Sequence, residues 1–155
     1  MRVKKEKVIG LVGDIYFDGA TEPRNPGGAM GYGIVVKQDH QTVYVNSWFV
    51  KENPKNTNNI AEYLAFTEAL NYLKQTGGRA RIYGDSMMVV KQMNKDWGIK
   101  NGMYTPYAHK AAKLLKEVSD QVVSINWIPR EENYEADAAS KEQLSSNNIS
   151  ITKRN

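Results

Sequence analysis

The chain has 155 residues, 41% hydrophobic and 25% charged, with a formal net charge of +4; this suits one globular domain with a mild preference for anionic partners. It contains no cysteine, which excludes disulfides and thiolate metal sites, and its two histidines, His40 and His109, lie far apart in sequence, which argues against a histidine zinc site. No apolar run approaches the roughly 20 residues that span a bilayer, and the opening stretch MRVKKEKVIGLVGD lacks the apolar region and cleavage pattern of a secretion signal, so a cytoplasmic chain with no membrane association is expected.

Three β-type segments come first, at Val8–Phe17, Tyr32–Gln38 and Val43–Val50. The loop EPRNPGGAMG joins the first pair and the turn QDHQ joins the second, and connections this short suit antiparallel neighbours. After the polar break KENPKNTNN, a helix is expected from Ile60 to Gln75, ended by Gly77-Gly78. The pattern then alternates. ARIYGD reads as a strand, SMMVVKQMNKDW as a helix, TPYAHKAAKLLKEV as a helix with Pro in its first turn, VVSINWI as a strand, and Glu132–Leu144 as a last helix. The tail SSNNISITKRN is polar and expected to be loosely held. A hairpin-linked meander followed by βαβα units argues for an α/β fold with a mixed sheet flanked by helices.

Four acids stand at element ends. Asp18 closes the first expected strand just before Gly19, and Asp14, four residues earlier, shares its face by period-2 alternation. Asp18 is either a turn former before glycine or a group presented at the sheet rim. Glu62 joins Phe66, Ala69 and Leu73 on one helical stripe, which aims its carboxylate at the core side; it also fits a capping box with Asn59 as the cap. Asp85 lies at the junction between a strand and a helix, where an N-cap role is equally open. Asp137 lies on the last helix among Ala136, Ala138 and Ala139, where it either approaches another element closely or complements the helix dipole. If the four converged, their mutual repulsion would call for a cation, and hard oxygen ligands without Cys or His select magnesium or manganese over zinc. A pair of such ions about 4 Å apart serves in-line phosphodiester displacement.

The ordered signatures DG, NPGG, TNNxxE, GDS and NxxAD resemble those of the type 1 ribonuclease H family, over about residues 8–143. The resemblance implies a ribonuclease H-like fold with a five-stranded mixed sheet, three antiparallel strands preceding two parallel ones. Residues 1–143 would form the catalytic domain and 144–155 a polar C-terminal tail. The implied activity is metal-dependent endonucleolytic hydrolysis of the RNA strand of an RNA–DNA hybrid, leaving 5′-phosphate and 3′-hydroxyl ends, by a monomer using two Mg2+ ions for which Mn2+ can substitute.

Carried over by position, Asp18, Glu62, Asp85 and Asp137 are the metal-binding and catalytic acids, and Asp14 takes a structural or supporting role, adding to the field around the metals. Thr57, Asn58 and Asn59 would meet the DNA strand, Thr57 near a phosphate, and Asn25 would border the minor groove. Gly19 and Ser86 would meet RNA sugars, reading the 2′-hydroxyl that separates RNA from DNA. Trp97 would lie against DNA sugars or else in the core, and Asn133 would lie near the active centre or cap the last helix.

Three departures from the family pattern carry expectations of their own. The interval between the third and fourth acids holds WGIKNGMYTP and no basic helix, so hybrid binding should be weaker, with a shallower salt dependence. Where many members have a histidine after the fifth strand, this chain has WIPREENYEAD, in which Arg130 or Glu131 would substitute in part. Met87 stands where many have Gln, which removes a base-edge hydrogen bond. The alternatives are a non-catalytic nucleic-acid-binding module of the same fold, or a relative that cuts double-stranded RNA or DNA.

Overall fold

Apolar side chains at every second position of IYFDG give the first strand one face for the core, and the other elements assemble around it. The computed structural model describes residues 12–152. They form β1 (Val12–Glu22), β2 (Ala29–Gln38), β3 (Gln41–Val50), α1 (Asn58–Thr76), β4 (Arg79–Gly84), α2 (Met87–Met93), α3 (Thr105–Glu117), β5 (Val122–Trp127) and α4 (Tyr134–Ser146), with 3-10 turns at Ser119–Gln121 and Arg130–Glu132. One five-stranded sheet has the order β3-β2-β1-β4-β5. β1 pairs antiparallel with β2, and β2 with β3, while β4 runs parallel to both β1 and β5. This is the expected mixed sheet.

Ile15, Phe17, Phe66, Leu70 and Ile82 are fully buried between one sheet face and α1. The Phe17 and Phe66 rings meet edge to face at 5.4 Å, and each such side chain stabilises the fold by about 1.5–3 kcal/mol relative to exposure. Tyr16, Val35, Ala136 and Ala139 pack α4 on the opposite face. Both layers are therefore anchored on β1, the central strand.

Several boundaries differ from the sequence expectations. The first strand does not stop at Phe17, since β1 continues to Glu22 in register with β2; the expected stretch Val8–Leu11 lies outside the described residues. What stops near Asp18 is the partnership with β4, whose last pair is Phe17↔Gly84. Asp18 is thus still paired to Gly33 on one side and open on the other.

Helix α1 begins two residues early because Thr57 is its cap: the Thr57 hydroxyl oxygen accepts from the Ile60 N–H at 3.2 Å. The Asn59–Glu62 capping box is therefore not formed. Gly77 ends α1 in the left-handed region, its N–H donating to Leu73 O at 2.8 Å. Helix α2 stops at Met93, short of Trp97, with Asn94 as its C-cap and Lys95 at a positive φ of 65°. The tail is not loose through Thr152. Ile149 and Ile151 pack with Leu144, Ala20 and Ala29, and the Thr152 N–H donates to Glu22 Oε1 at 3.1 Å. Among the described residues no helix is long and apolar enough to cross a membrane.

Candidate active site

Beyond the last β1–β4 pair the sheet opens a cleft at the carboxyl ends of two parallel strands, the place where open α/β sheets present ligands. Its lining comprises Asp18, Gly19, Asn58, Asn59, Glu62, Asp85, Ser86 and Arg130, around a cavity of about 300 Å³.

Three acids reach the cleft from three elements. Asp18 comes from β1, Glu62 from the second turn of α1, and Asp85 from the residue after β4. One carboxylate oxygen of each lies within 4.8 Å of the others. Asp85 is free to point inward because Ser86 takes the cap of α2, its hydroxyl oxygen accepting from the Val89 N–H at 3.3 Å. The Asp85 backbone carbonyl is held in turn by the Trp127 indole N–H at 3.2 Å.

Glu62 gets close through Gly19. A Cβ on residue 19 would stand 2.4 Å from the backbone carbonyl of Ala61, so only glycine lets β1 and α1 approach this far. The Gly19 N–H donates to Glu62 Oε1 at 2.5 Å and to Asp18 Oδ1 at 2.9 Å. The turn-former reading of Asp18 does not hold, because it is buried within a continuing strand.

The electrostatics follow from this crowding. Burial, then the charge of Asp85, with Asp137 adding, push the Asp18 carboxyl up to about 8, against a partial offset from its hydrogen bond with Glu62. Burial and the charges of Asp18 and Asp85 push Glu62 well above the usual carboxylate range. Asp85 is raised by burial, opposed by the Arg130 guanidinium and reinforced by Asp137. Three hard oxygen donors that cannot all ionise in one pocket are relieved by a divalent cation, so the donor set fits Mg2+ or Mn2+.

Asp137 acts on Asp18 and Asp85 through its charge and also hydrogen-bonds the Asp18 side chain, although it is not one of the three acids whose oxygens lie mutually within 4.8 Å. Lys141, one turn further along α4, donates to Oδ1 at 3.0 Å and to Oδ2 at 3.2 Å. Lys141 is legible in the amino-acid order through its i, i+4 spacing from Asp137, whereas nothing in the order marks Trp127 as a partner of Asp85.

The remaining candidates divide. Asn58, Asn59, Gly19, Ser86 and Arg130 line the cleft. Asn25 and Thr57 hold its edge: Asn25 Oδ1 accepts from the Asn58 N–H at 3.1 Å, and Asn58 Oδ1 accepts from the Thr21 N–H at 2.8 Å, which ties the NPGG loop and β1 to the start of α1. Glu131 lies instead in a neighbouring groove with Tyr16, Lys37 and Tyr134.

Asn133 is 1% exposed, so it does not present itself to a substrate. It occupies the N-cap position of α4 without a capping bond, and its Nδ2 donates to Phe17 O at 2.9 Å. Trp97 is 48% exposed, which rules out the core reading, and it lies in a separate groove with Lys95, His109, Lys113 and Lys116. Asp14 donates nothing to the cleft; Arg81 Nε bonds its Oδ1 at 2.9 Å on the neighbouring strand.

Comparison with known proteins gives a consistent picture. The family model described as reverse transcriptase-like matches residues 16–143. The bifunctional protein Rv2228c of Mycobacterium tuberculosis is 34% identical over 124 residues, covering 77% of this chain and 32% of that protein. The chain thus spans about a third of the length of the curated relatives it matches first. Among solved structures, ribonuclease H1 of the archaeon Halobacterium salinarum superposes with a TM-score of 0.72 at 29% identity, over 86% of this chain and 98% of that one. The compost-derived LC11 ribonuclease H1, solved in complex with an RNA/DNA hybrid, gives 0.76 at 28% identity, over 87% and 98%.

Proposed function

The chain belongs to the reverse transcriptase-like family, in its type 1 ribonuclease H branch, and on that premise we propose that it is a metal-dependent endoribonuclease that hydrolyses the RNA strand of RNA–DNA hybrids, leaving 5′-phosphate and 3′-hydroxyl ends. The observation that carries this reading is the trio Asp18, Glu62 and Asp85 with oxygens within 4.8 Å of one another. A protein that only bound a polyanion would gain nothing from a buried acid cluster facing it. Likeness to a ribonuclease H1 solved on an RNA/DNA hybrid supports the substrate class.

Asp18, Glu62 and Asp85, with Asp137 as the fourth acid, would hold two divalent cations, Mg2+ or Mn2+. When bound, these ions supply Lewis acidity, for activating a water nucleophile and for charge developing on the departing 3′-oxygen. The chain's own residues do the rest. The Gly19 N–H fixes the Glu62 carboxylate, and Arg130, which lines the cleft, offers a cation for a phosphate. Of the residues that line the cleft, Gly19 and Ser86 would read ribose hydroxyls, and Asn58 and Asn59 would meet the DNA strand. The catalytic domain expected at residues 1–143 would also take in the rest of α4 and the packed segment up to Thr152, in a monomer.

The test is cleavage of a labelled hybrid with Mg2+ and with chelator, beside single-stranded RNA, double-stranded RNA and DNA controls. Mg2+-dependent cutting of the RNA strand within the hybrid is expected. Activity no higher than in chelator would sink the enzyme reading, and hybrid binding retained in that case would favour a non-catalytic module.

A further inference from the structure

The fourth acid differs from the other three in having a cation of its own. Lys141 Nζ contacts both Asp137 carboxylate oxygens, at 3.0 and 3.2 Å, and the pair is largely withdrawn from water, the side chains being 19% and 28% exposed. Solvent-exposed i, i+4 pairs are weak and readily exchanged, but a half-buried ammonium spanning both oxygens occupies the acceptor sites that a metal would use. The geometry fits this. Asp18, Glu62 and Asp85 have oxygens mutually within 4.8 Å, while Asp137 meets this trio at Asp18, by a side-chain hydrogen bond, and is the acid that Lys141 holds.

Resting on the metal-dependent reading above, we propose that Lys141 is a positioning residue that competes with a divalent cation for Asp137, so that the cleft fills in two unequal stages. The trio takes a cation first. Asp137 joins a second only when the Lys141 ammonium is displaced from its carboxylate, which makes the second stage the weaker one. Displacement breaks no covalent bond and consumes nothing; the ammonium swings to solvent, and the carboxylate changes partner.

Binding of Mn2+ to the free protein, without nucleic acid, tests this by paramagnetic resonance of unbound Mn2+ or by calorimetry. The wild type should show a tighter and a weaker stage. Lys141→Met should tighten the weaker stage about fivefold or more, the scale of removing one unit charge from contact distance in water, and leave the tighter stage alone. Lys141→Gln should act in the same direction, and Lys141→Arg should stay near wild type because it keeps the charge. In an Asp137→Asn background the Lys141→Met effect should vanish.

An unchanged or weakened second stage in both neutral variants would overturn the proposal and leave Lys141 as a helix-stabilising pair. Absence of any Mn2+ binding by the wild type, or binding that survives Asp18→Asn unaltered, would instead bring down the metal reading itself and the proposal with it.

Discussion

Gly19→Ala is the most direct test of how the cleft is built. The added Cβ would lie 2.4 Å from Ala61 C and O and 2.7 Å from Glu62 N, all backbone atoms that cannot rotate away. Ordinary contact needs at least 3.4 Å, so β1 and the first turns of α1 must part by about 1 Å. Overpacking of this kind costs about 1–3 kcal/mol, and stretching the Gly19 N–H bond to the Glu62 carboxylate costs about 1.5–3 kcal/mol more, as for hydrogen bonds to charged groups. Lower backbone entropy in the unfolded chain returns under about 1 kcal/mol. The net loss of roughly 1.5–6 kcal/mol converts, at about 2–4 °C per kcal/mol for a domain of this size, to a drop in Tm of roughly 3–24 °C. Glu62 would also move away from Asp18 and Asp85, so hybrid cleavage should fall at least tenfold and Mn2+ affinity should fall with it. Thermal denaturation and Mn2+ binding on the same preparation check both. A Tm within about 2 °C of wild type together with unchanged Mn2+ binding would refute the idea that glycine at this position sets the spacing of the acids.

Metal-free stability should depend on pH in the sense opposite to ordinary carboxylates. The folded state holds Asp18 at about 8, with Glu62 and Asp85 also raised, so it binds more protons than the unfolded chain; stability is full below about pH 4 and declines as pH rises through 8. In chelator, Tm should therefore fall between pH 5.5 and 8.5, Mg2+ should restore it at the upper end, and Asp18→Asn should flatten the slope; a flat metal-free profile for wild type would contradict the crowding. Asp14→Asn removes a solvent-screened pair with Arg81 and should leave cleavage within about twofold of wild type, whereas Asp18→Asn should abolish it. Equal losses of activity would show that Asp14 also serves the cleft. Asn133→Ala strips Phe17 O of a buried donor, a loss of about 1–3 kcal/mol, and should lower kcat with the KM for hybrid unchanged. A rise in KM alone would mean direct substrate contact.

Much of this arrangement is legible in the amino-acid order, and the reasons for the gaps are local. Alternation in IYFDG and the short turn QDHQ reveal the meander because period 2 and loop length are properties of the chain itself. The stripe Glu62–Phe66–Ala69–Leu73 correctly aims Glu62 inward, since all four are buried on one side of α1. Alternation shows which face a residue takes but not where a neighbouring strand stops pairing, and it is the end of β4, not of β1, that exposes Asp18. In TNN every residue can cap a helix, so pattern alone leaves the choice between Thr57 and Asn59 open. Trp97 lost its helix to a left-handed Lys95 two residues earlier, a non-glycine conformation with no composition cue. Lys141 and Asn133 act through partners on the same or a distant element, and only assembled packing reveals that the Asn133 amide reaches Phe17 O across 116 positions of chain.

Acids in this protein meet two different fates, and the difference is what makes the cleft informative. Asp14 faces Arg81 on the next strand, Glu135 faces Lys37, and Asp137 faces Lys141, so each has a cation within reach. Asp18 and Glu62 are buried more deeply than any of these, yet the ionisable groups acting on them are each other, Asp85 and, for Asp18, Asp137, all of the same sign. Arg130 eases only Asp85. A fold selected for stability alone would replace such a cluster with amides or apolar groups of similar volume, because desolvating unpaired carboxyls costs several kcal/mol. Here the opposite investment has been made: a glycine admits α1, a serine takes over the cap that Asp85 would otherwise supply, and an indole N–H holds the backbone behind it. Local devices that all act to bring like charges together make sense only if a species of opposite charge completes the site, and for an all-oxygen donor set open to a polyanion that species is a divalent cation.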